Sequence, residues 1–271
     1  QALVIHNEAE NFSVGANIGL LLFAANLAAW DQIRTAVVQG QQTLKALRDA
    51  PFPVVGAPSG MALGGGCEVL LHCDAVQAYA ETYMGLVEVG VGLVPGWGGC
   101  KELLTRWYHN PRRPGGPMPA ISKVFECVST ATVAKSADEA RELLFLRAED
   151  RITMNRDRLL ADAKLLALEL VDGYQPPAPA EPLFLPGTSA QTAMAMAVDG
   201  FHKVGKATAH DTVVARALAG VLSGGDTDLT DPVEEDALYA LECDAFVTLA
   251  QHPHTLARVE HMLDTGRPLR N

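Results

Sequence analysis

Residues 60–68 read Gly-Met-Ala-Leu-Gly-Gly-Gly-Cys-Glu. A short apolar run precedes the three glycines, and Val69, Leu70 and Leu71 follow the glutamate. This order predicts a strand, a tight turn and a helix. Glycines at such a turn leave N–H groups accessible at the start of the helix, where the partial positive charge favours an anion or a developing oxyanion.

Three glycines at a strand–helix junction also have a plainer explanation, which is that they let the strand and the helix pack closely. For an arbitrary glycine triplet this is the more common case. Two nucleotide-binding motifs do not fit, because the stretch lacks both the Gly-Lys-Ser/Thr of a P-loop and the GxGxxG spacing of a dinucleotide-binding fold. The glycines therefore indicate either close packing or an oxyanion site.

Short apolar runs alternate with helical patterns in the first part of the chain. Residues 2–6, 51–56 and 75–80 are predicted strands, and residues 20–49 have helical periodicity. Strands that alternate with helices are typical of an α/β domain, which we place at residues 1–120.

The second half of the chain has a different pattern. A capping box of the form Ser-x-x-Glu begins at Ser136, and an amphipathic helix is predicted over residues 155–172. Residues 174–186 contain five prolines and are predicted to be an extended linker, because a helix does not tolerate them. Four further helical stretches follow from Ser189 onward. We therefore expect a mostly helical C-terminal region over residues 121–271.

Composition and charge exclude several classes of protein. The 271 residues are 48% hydrophobic and 20% charged, which is typical of a globular protein with a substantial core. The formal net charge of −11 argues against a nucleic-acid partner, but not against an anionic ligand held by backbone N–H groups. Five cysteines without a CxxC pair, no signal peptide and no membrane-length apolar run predict a cytoplasmic protein. No metal site is expected, because the eight histidines are scattered.

Glu68 and Glu88 are the candidate catalytic carboxylates. Glu68 falls in the first turn of the predicted helix, where an acid is favourable in any case, so a surface glutamate is the alternative there. Glu88 is the only charge in residues 85–96, which are apolar and rich in glycine. A carboxylate buried there needs a partner, a protonated form or a catalytic role. Two carboxylates near an oxyanion site suit proton transfer at the carbons next to a thioester, whereas His72 is expected to be structural.

Three motifs, taken in order along the chain, resemble the enoyl-CoA hydratase (crotonase) family. They are residues 12–17 (Phe-Ser-Val-Gly-Ala-Asn), residues 60–68, and residues 85–88 (Gly-Leu-Val-Glu), the last continuing to residues 94–99 (Val-Pro-Gly-Trp-Gly-Gly). The resemblance spans most of the chain and is weakest over residues 174–235. It implies an α/β fold that is a crotonase-like spiral of strand–helix units, N-terminally truncated here, followed by the helical C-terminal region.

The resemblance implies a role for particular residues. The backbone N–H groups of Ala16 and Gly65 would form the oxyanion hole for the thioester oxygen. Glu68 and Glu88 would hold and activate one water, Glu88 would exchange the proton at the α-carbon, and Gly96 would leave room for the water. The residues implied to bind the acyl-CoA substrate are Ala16, Asn17, Ile18, Ala62, Gly64, Gly65, Val87 and Val91. The substrate is a coenzyme A thioester, and no permanently bound cofactor is implied.

The sequence departs from the family's pattern in two ways. Asn17 stands where the family usually has Asp, and Gly19 stands where a lysine often helps to hold the phosphates of coenzyme A, so phosphate binding is expected to be weaker or supplied elsewhere. The two strands and the helix that usually precede residues 2–6 are missing, and the helical half is longer than in a stand-alone hydratase. Both features resemble the hydratase part of a multifunctional fatty-acid β-oxidation protein. A 3-hydroxyacyl-CoA dehydrogenase would then lie upstream and carry any NAD.

Three functions are compatible with the sequence. A 2-enoyl-CoA hydratase is favoured because both glutamates are kept. A Δ3-Δ2 enoyl-CoA isomerase or an acyl-CoA hydrolase is the alternative within the family. A folded but inactive fragment, whose helical half serves assembly of a homo-oligomer, is the alternative from another class.

Overall fold

The computed structural model describes residues 1–112 and 114–271. It contains two compact units, each built from three separate stretches of the chain. The sheet unit comprises residues 1–16, 40–86 and 132–179, and the helical unit comprises residues 17–39, 87–131 and 180–271. The first is named for its parallel sheets and the second for its predominance of helices.

The regular elements alternate along the chain. The strands are β1 (Leu3–His6), β2 (Val54–Ala57), β3 (Gly60–Leu63), β4 (Ala75–Tyr79), β5 (Thr82–Gly85), β6 (Arg151–Thr153), β7 (Leu183–Phe184) and β8 (Pro232–Val233). The helices are α1 (Ile18–Asn26), α2 (Trp30–Arg48), α3 (Gly65–Leu71), α4 (Gly99–Tyr108), α5 (Met118–Ser129), α6 (Ala137–Glu142), α7 (Leu159–Val171), α8 (Thr188–Lys203), α9 (Ala209–Leu222), α10 (Glu235–Ala250) and α11 (Pro253–Thr265). Short 3₁₀ turns occur at Glu88–Val91 and Arg156–Arg158.

The main sheet of the sheet unit is parallel, with the strand order β1-β2-β4-β6. Val55 pairs with Val4 on one side and with Ala75 on the other. All four residues of β2 are buried, as expected for a parallel strand that is covered on both faces. Helix α7 covers one face of this sheet, and the core between them consists of Val55, Ala57, Ala75, Leu159, Ala163, Leu166 and Ala167.

A second, two-stranded parallel sheet leads directly into the glycine turn. Strands β3 and β5 pair from Gly60 opposite Thr82 to Leu63 opposite Gly85. At the end of β3 the N–H of Gly64 donates to the carbonyl oxygen of Gly85 at 2.9 Å. This small sheet therefore fixes where α3 begins.

The helical unit has its own apolar core. Side chains from the first two helices meet side chains from α10, and the buried members of this cluster are Ala25, Ile33, Val37, Cys243 and Val247. A two-residue antiparallel ribbon, in which Leu183 pairs with Val233, also belongs to this unit. Within residues 1–112 and 114–271, every helix is too short or too polar to cross a lipid bilayer.

Two helices occupy residues 20–49, the region of helical periodicity in the sequence. Helix α1 ends at Asn26 and α2 begins at Trp30, with Ala28 in the left-handed region at φ 51°. Ala25 of α1 and Ile33 of α2 belong to the same apolar cluster. The strands predicted at residues 2–6 and 75–80 are confirmed as β1 and β4.

Most elements predicted in the second half are confirmed. Ser136 caps α6, and its Oγ accepts the N–H of Glu139 at 3.1 Å. The predicted box is modified, because the Glu139 carboxylate accepts from the N–H of Lys135 (2.7 Å). Helix α7 and the last four helices lie where their patterns predict them. The proline-rich stretch is extended, although Leu183–Phe184 form a short strand, and the three-residue strand β6 was not predicted.

Candidate active site

The glycine turn is the start of α3. Gly64 has φ 55° and ψ −125°, a conformation open to glycine but strained for other residues. The first intrahelical hydrogen bond joins the N–H of Glu68 to the carbonyl oxygen of Gly64 at 3.0 Å. The N–H of Gly65, the first helical residue, therefore has no acceptor within the helix. It stands at the positive end of the helix dipole, which is the position required of an oxyanion donor.

The loop formed by residues 13–16 runs beside this turn. Ser13 donates its N–H to the Met61 carbonyl (3.0 Å) and accepts the Leu63 N–H (2.9 Å). Gly15 has φ 97°, and a Cβ built on it would lie 3.6 Å from the amide nitrogen of Gly65. The segment that carries the predicted donor Ala16 thus approaches the segment that carries Gly65, and both belong to the sheet unit.

Glu68 is buried within the helix that follows the turn. Its side chain belongs to a residue only 2% exposed, so the alternative of a surface glutamate is wrong. The carbonyl oxygen of Glu68 accepts Nδ1 of His72 at 2.7 Å. His72 is itself fully buried, and its contact with the backbone of its own helix fits the structural role predicted for it. Glu68 is thus a buried carboxylate on the helix that follows the glycine turn.

Glu88 is the first residue of the 3₁₀ turn Glu88–Val91, in the helical unit. The turn is closed by Gly92, with φ 81°, and the N–H of Leu93 donates to the Glu88 carbonyl at 3.1 Å. Glu88 is partly buried, and its Oε2 is shielded from solvent. Val87 and Val91, both predicted to bind substrate, are half-buried on either side of it.

Gly96 lies against an aromatic ring. A Cβ at this position would come within 2.9 Å of Cδ2 of Phe246, on α10. The missing side chain therefore allows close packing of the backbone on the ring. Two residues further on, the N–H of Gly98 donates to the carboxylate of Glu242 (2.8 Å), which also accepts the N–H of Lys101 (2.7 Å).

Asn17 has a local structural contact that its motif did not predict. Its Oδ1 accepts the N–H of Gly19 at 3.0 Å and that of Leu20 at 3.4 Å, so Asn17 is the N-cap of α1. A Cβ on Gly19 would lie 3.1 Å from this Oδ1. The cap explains why the residue can be Asn, since Asn and Asp are equally good N-caps.

The predicted site residues are distributed over both units. The sheet unit holds Ala16, Ala62, Gly64, Gly65 and Glu68, and the helical unit holds Asn17, Ile18, Val87, Glu88, Val91 and Gly96. The sequence assigned no role to several buried polar residues of the helical unit, among them His210, Glu242, Thr255 and Arg258. Each is a polar side chain on a helix, and only its burial distinguishes it from a surface residue.

Histidine, cysteine and acidic side chains in the described part of the chain form no group of three or more that could hold a metal ion. The sheet unit presents the Gly65 N–H at a helix start and the buried Glu68, and the helical unit presents the partly buried Glu88. Backbone donors of this kind stabilise a developing oxyanion, and carboxylates transfer protons. Backbone donors and carboxylates of this kind are typical of enzymes that act on acyl thioesters.

Comparison with known proteins supports this class. Residues 1–107 match the family model described as enoyl-CoA hydratase/isomerase. A solved structure of an enoyl-CoA hydratase/isomerase from Mycobacterium paratuberculosis superposes with a TM-score of 0.59 and 20% identity, over 96% of this chain and 79% of that one. At that identity the likeness concerns the fold, which is the crotonase fold.

Two curated relatives are longer than this chain. One, named "Probable 3-hydroxyacyl-CoA dehydrogenase", from Bacillus subtilis (strain 168), is 40% identical over 272 residues, which cover 100% of this chain and 34% of the relative. The other, "Fatty acid oxidation complex subunit alpha" from Idiomarina loihiensis, is 39% identical over 105 residues, or 38% of this chain and 14% of the relative. The chain thus spans about a third of the first relative's length.

Proposed function

We propose that this chain carries a 2-enoyl-CoA hydratase centre of fatty-acid β-oxidation. In the proposed reaction one water adds reversibly across the C2=C3 double bond of a trans-2-enoyl-CoA. The water oxygen forms a bond to C3 and keeps one hydrogen, while a proton is delivered to C2. The observation that carries the proposal is the approach of Gly15 to the amide of Gly65 at the start of α3.

The oxyanion hole is the first element of this proposal. As water attacks C3, negative charge develops on the thioester oxygen, and the N–H groups of Ala16 and Gly65 would donate to it. The Gly65 N–H lacks an intrahelical acceptor and points from a helix start, so it needs no rearrangement to bind an anion. Such a pre-organised donor stabilises the transition state more than the substrate.

The two glutamates are the second element. Glu68 and Glu88 would hold and activate the water, and Glu88 would exchange the proton at the α-carbon, which is C2. Gly96 would leave room for the water near its backbone, on a side other than the one that the ring of Phe246 occupies. The acyl-CoA itself would contact Ala16, Asn17, Ile18, Ala62, Gly64, Gly65, Val87 and Val91.

The length of the relatives supports a place in a larger protein. A 3-hydroxyacyl-CoA is the product of the proposed hydration, and one relative is named as a dehydrogenase of that compound. We propose that the centre is one part of a multifunctional protein, in which NAD would bind only to the dehydrogenase part. The five cysteines are free and buried, which supports a reducing cytoplasmic compartment. Exposed apolar side chains on α1 and at its C-cap, including Leu20, Phe23 and Leu27, support assembly into a homo-oligomer.

The experiment measures hydration of crotonyl-CoA by the complete natural protein, with Glu88→Gln and Glu68→Gln as variants. Each should lower kcat by about 10²-fold or more, the usual size of general acid–base catalysis. Glu81→Gln is the matched control, because Glu81 is exposed in the turn between β4 and β5 and should leave the rate unchanged. Full activity in Glu88→Gln would refute the proposed roles.

Product analysis distinguishes the other activities of the family. A 3-enoyl-CoA substrate that is converted to the 2-enoyl isomer without added water would identify an isomerase, and release of free coenzyme A would identify a hydrolase. Calorimetric titration with an acyl-CoA addresses the inactive alternative. If the complete protein neither binds nor hydrates acyl-CoA, the chain serves assembly only.

A further inference from the structure

Helix α11 contacts the backbone of the turn that carries Glu88. The hydroxyl of Thr255 donates to the carbonyl oxygen of Gly92 at 2.9 Å, and Nη1 of Arg258 lies 3.4 Å from the carbonyl oxygen of Val89. Thr255 is fully buried and Arg258 is 3% exposed. The two acceptors are the carbonyl groups of Val89, the residue after Glu88, and of Gly92, the residue after the 3₁₀ turn.

His210, on α9, sets the orientation of the Thr255 hydroxyl through a hydrogen bond. Its Nε2 lies 2.8 Å from Oγ1 of Thr255. Because the single hydroxyl hydrogen of Thr255 goes to Gly92, the hydrogen of the second bond must come from Nε2 of His210. Burial, followed by the charge of Arg258, lowers the pKa of His210 to about 4, so the imidazole is neutral at physiological pH and donates through Nε2. The direction of the Thr255 hydroxyl is thereby set.

Arg258 is oriented by several acceptors at once. Its Nη2 donates to Asp211 (2.8 Å) and to the hydroxyl of Thr208 (3.1 Å), and its Nε donates to Oδ1 of Asn271 (2.8 Å). Thr208 and Asp211 also form the capping box at the start of α9. A planar guanidinium held by separate acceptors cannot rotate freely. Its remaining nitrogen therefore stays directed at Val89.

Gly92 permits this close approach. Its φ of 81° favours glycine, and a Cβ there would lie 2.9 Å from Oγ1 of Thr255 and 3.1 Å from Nε2 of His210. The turn is therefore packed directly on the two polar side chains. The hydrogen bond from the N–H of Leu93 to the carbonyl of Glu88 transmits this placement to Glu88.

We propose that Thr255 and Arg258 are positioning residues for Glu88, which they hold through the backbone of the turn Glu88–Val91 and Gly92. The inference rests on the proposed function, in which Glu88 exchanges a proton with the substrate. Neither residue contacts the substrate. Displacing a catalytic group by about 1 Å can reduce a rate by about 10²-fold, so small shifts of this turn are enough to affect catalysis.

The test compares Thr255→Val with Thr255→Ser in the complete natural protein, using hydration of crotonyl-CoA. The valine has nearly the same shape but cannot donate to Gly92, so kcat should fall about 10-fold to 100-fold, while KM changes by no more than about twofold. The serine keeps the hydroxyl and should restore most of kcat. Thr192→Val is the matched control, because Thr192 is exposed on α8 and bonds only to its own helix, through the Thr188 carbonyl.

A second variant, Arg258→Lys, keeps the cation but loses the planar set of donors, and it should lower kcat without abolishing folding. Urea unfolding of each variant separates loss of rate from loss of structure. If Thr255→Val keeps the wild-type kcat while Glu88→Gln is inactive, the positioning role is wrong and the proposed function stands. If Thr255→Ser is as slow as Thr255→Val, or if activity follows the folded fraction alone, the role is only structural. If Glu88→Gln is fully active, the proposed function itself fails.

Discussion

The glycine turn of the sheet unit and the Glu88 turn of the helical unit are held in place by different means. The glycine turn, residues 60–68, is held mainly by neighbouring backbone, through hydrogen bonds with residues 13 and 85, and by the nearby Asn11, whose Oδ1 accepts the N–H of Met61 at 2.9 Å. The Glu88 turn is held by buried side chains of Thr255 and Arg258, more than 160 residues further along the chain. The position of the proposed oxyanion donor, Gly65, thus depends on residues close to it in the sequence. The position of Glu88 depends instead on the C-terminal helices.

The largest effect is expected where the glycine turn is broken. A Cβ on Gly66 would lie 2.6 Å from Cβ of Ser13, so Gly66→Ala must push the loop of residues 13–16 away from the Gly65 amide. Loss of one oxyanion donor costs about 10²–10³-fold in kcat, and we expect a loss of this size. The measurement is kcat for crotonyl-CoA hydration by the complete natural protein.

Gly200→Ala is the matched control for this prediction. Gly200 lies within α8, where an added Cβ meets no neighbouring atom. Alanine there should leave kcat unchanged and stabilise the fold by about 0.5–1 kcal/mol. If Gly66→Ala is as active as Gly200→Ala, the loop does not contribute an oxyanion donor.

A smaller effect is expected where α10 holds the start of α4. The carboxylate of Glu242 is fully buried and accepts the N–H groups of Gly98 and Lys101. In Glu242→Gln one of these donors faces an amide nitrogen, which should cost about 1.5–3 kcal/mol in the free energy of unfolding. Urea unfolding measures this. Glu169→Gln, which breaks an exposed ion pair with Arg151, should cost less than about 1 kcal/mol, and equal losses would contradict the account.

The smallest expected effect is a pH dependence of the free energy of unfolding, which arises from His210 beside the Glu88 turn. Burial and Arg258 lower the pKa of folded His210 from 6.5 to about 4, so between these values the unfolded chain binds more protons than the folded one. Stability should therefore fall as pH decreases through this window. The lowered pKa of Asp211, held by Thr208 and Arg258, adds a further loss at still lower pH.

His210→Gln isolates the contribution of the imidazole, because glutamine offers an amide donor to Thr255 and does not titrate. Urea unfolding at about pH 7 and about pH 5 should show a smaller difference in this variant than in the natural protein. An unchanged difference would mean that His210 is not the group responsible.

The glycine turn could be predicted from the sequence better than the Glu88 turn. The strand β3, the turn and α3 are formed by adjacent residues. This motif was enough to propose Gly65 as an oxyanion donor and Glu68 as a catalytic carboxylate. Glu88 could be proposed as a catalytic carboxylate, because a charge in an apolar, glycine-rich run is unusual. The residues that hold the turn of Glu88 could not be predicted. In the sequence, His210 and Arg258 resemble ordinary polar residues of amphipathic helices, and only the fold shows that they are buried. The break at Ala28 could not be predicted, because an alanine takes the left-handed conformation there and no glycine or proline marks residues 26–30.

We propose that Glu68 and Glu88 act on one water in a single hydration reaction. A double-mutant cycle of Glu68→Gln and Glu88→Gln tests this, with kcat for crotonyl-CoA hydration by the complete natural protein as the measurement. Residues that act as a unit are strongly non-additive, so the double variant should be about as slow as the slower single variant. If the two losses multiply, or if either single variant keeps the natural rate, the two carboxylates do not share the reaction.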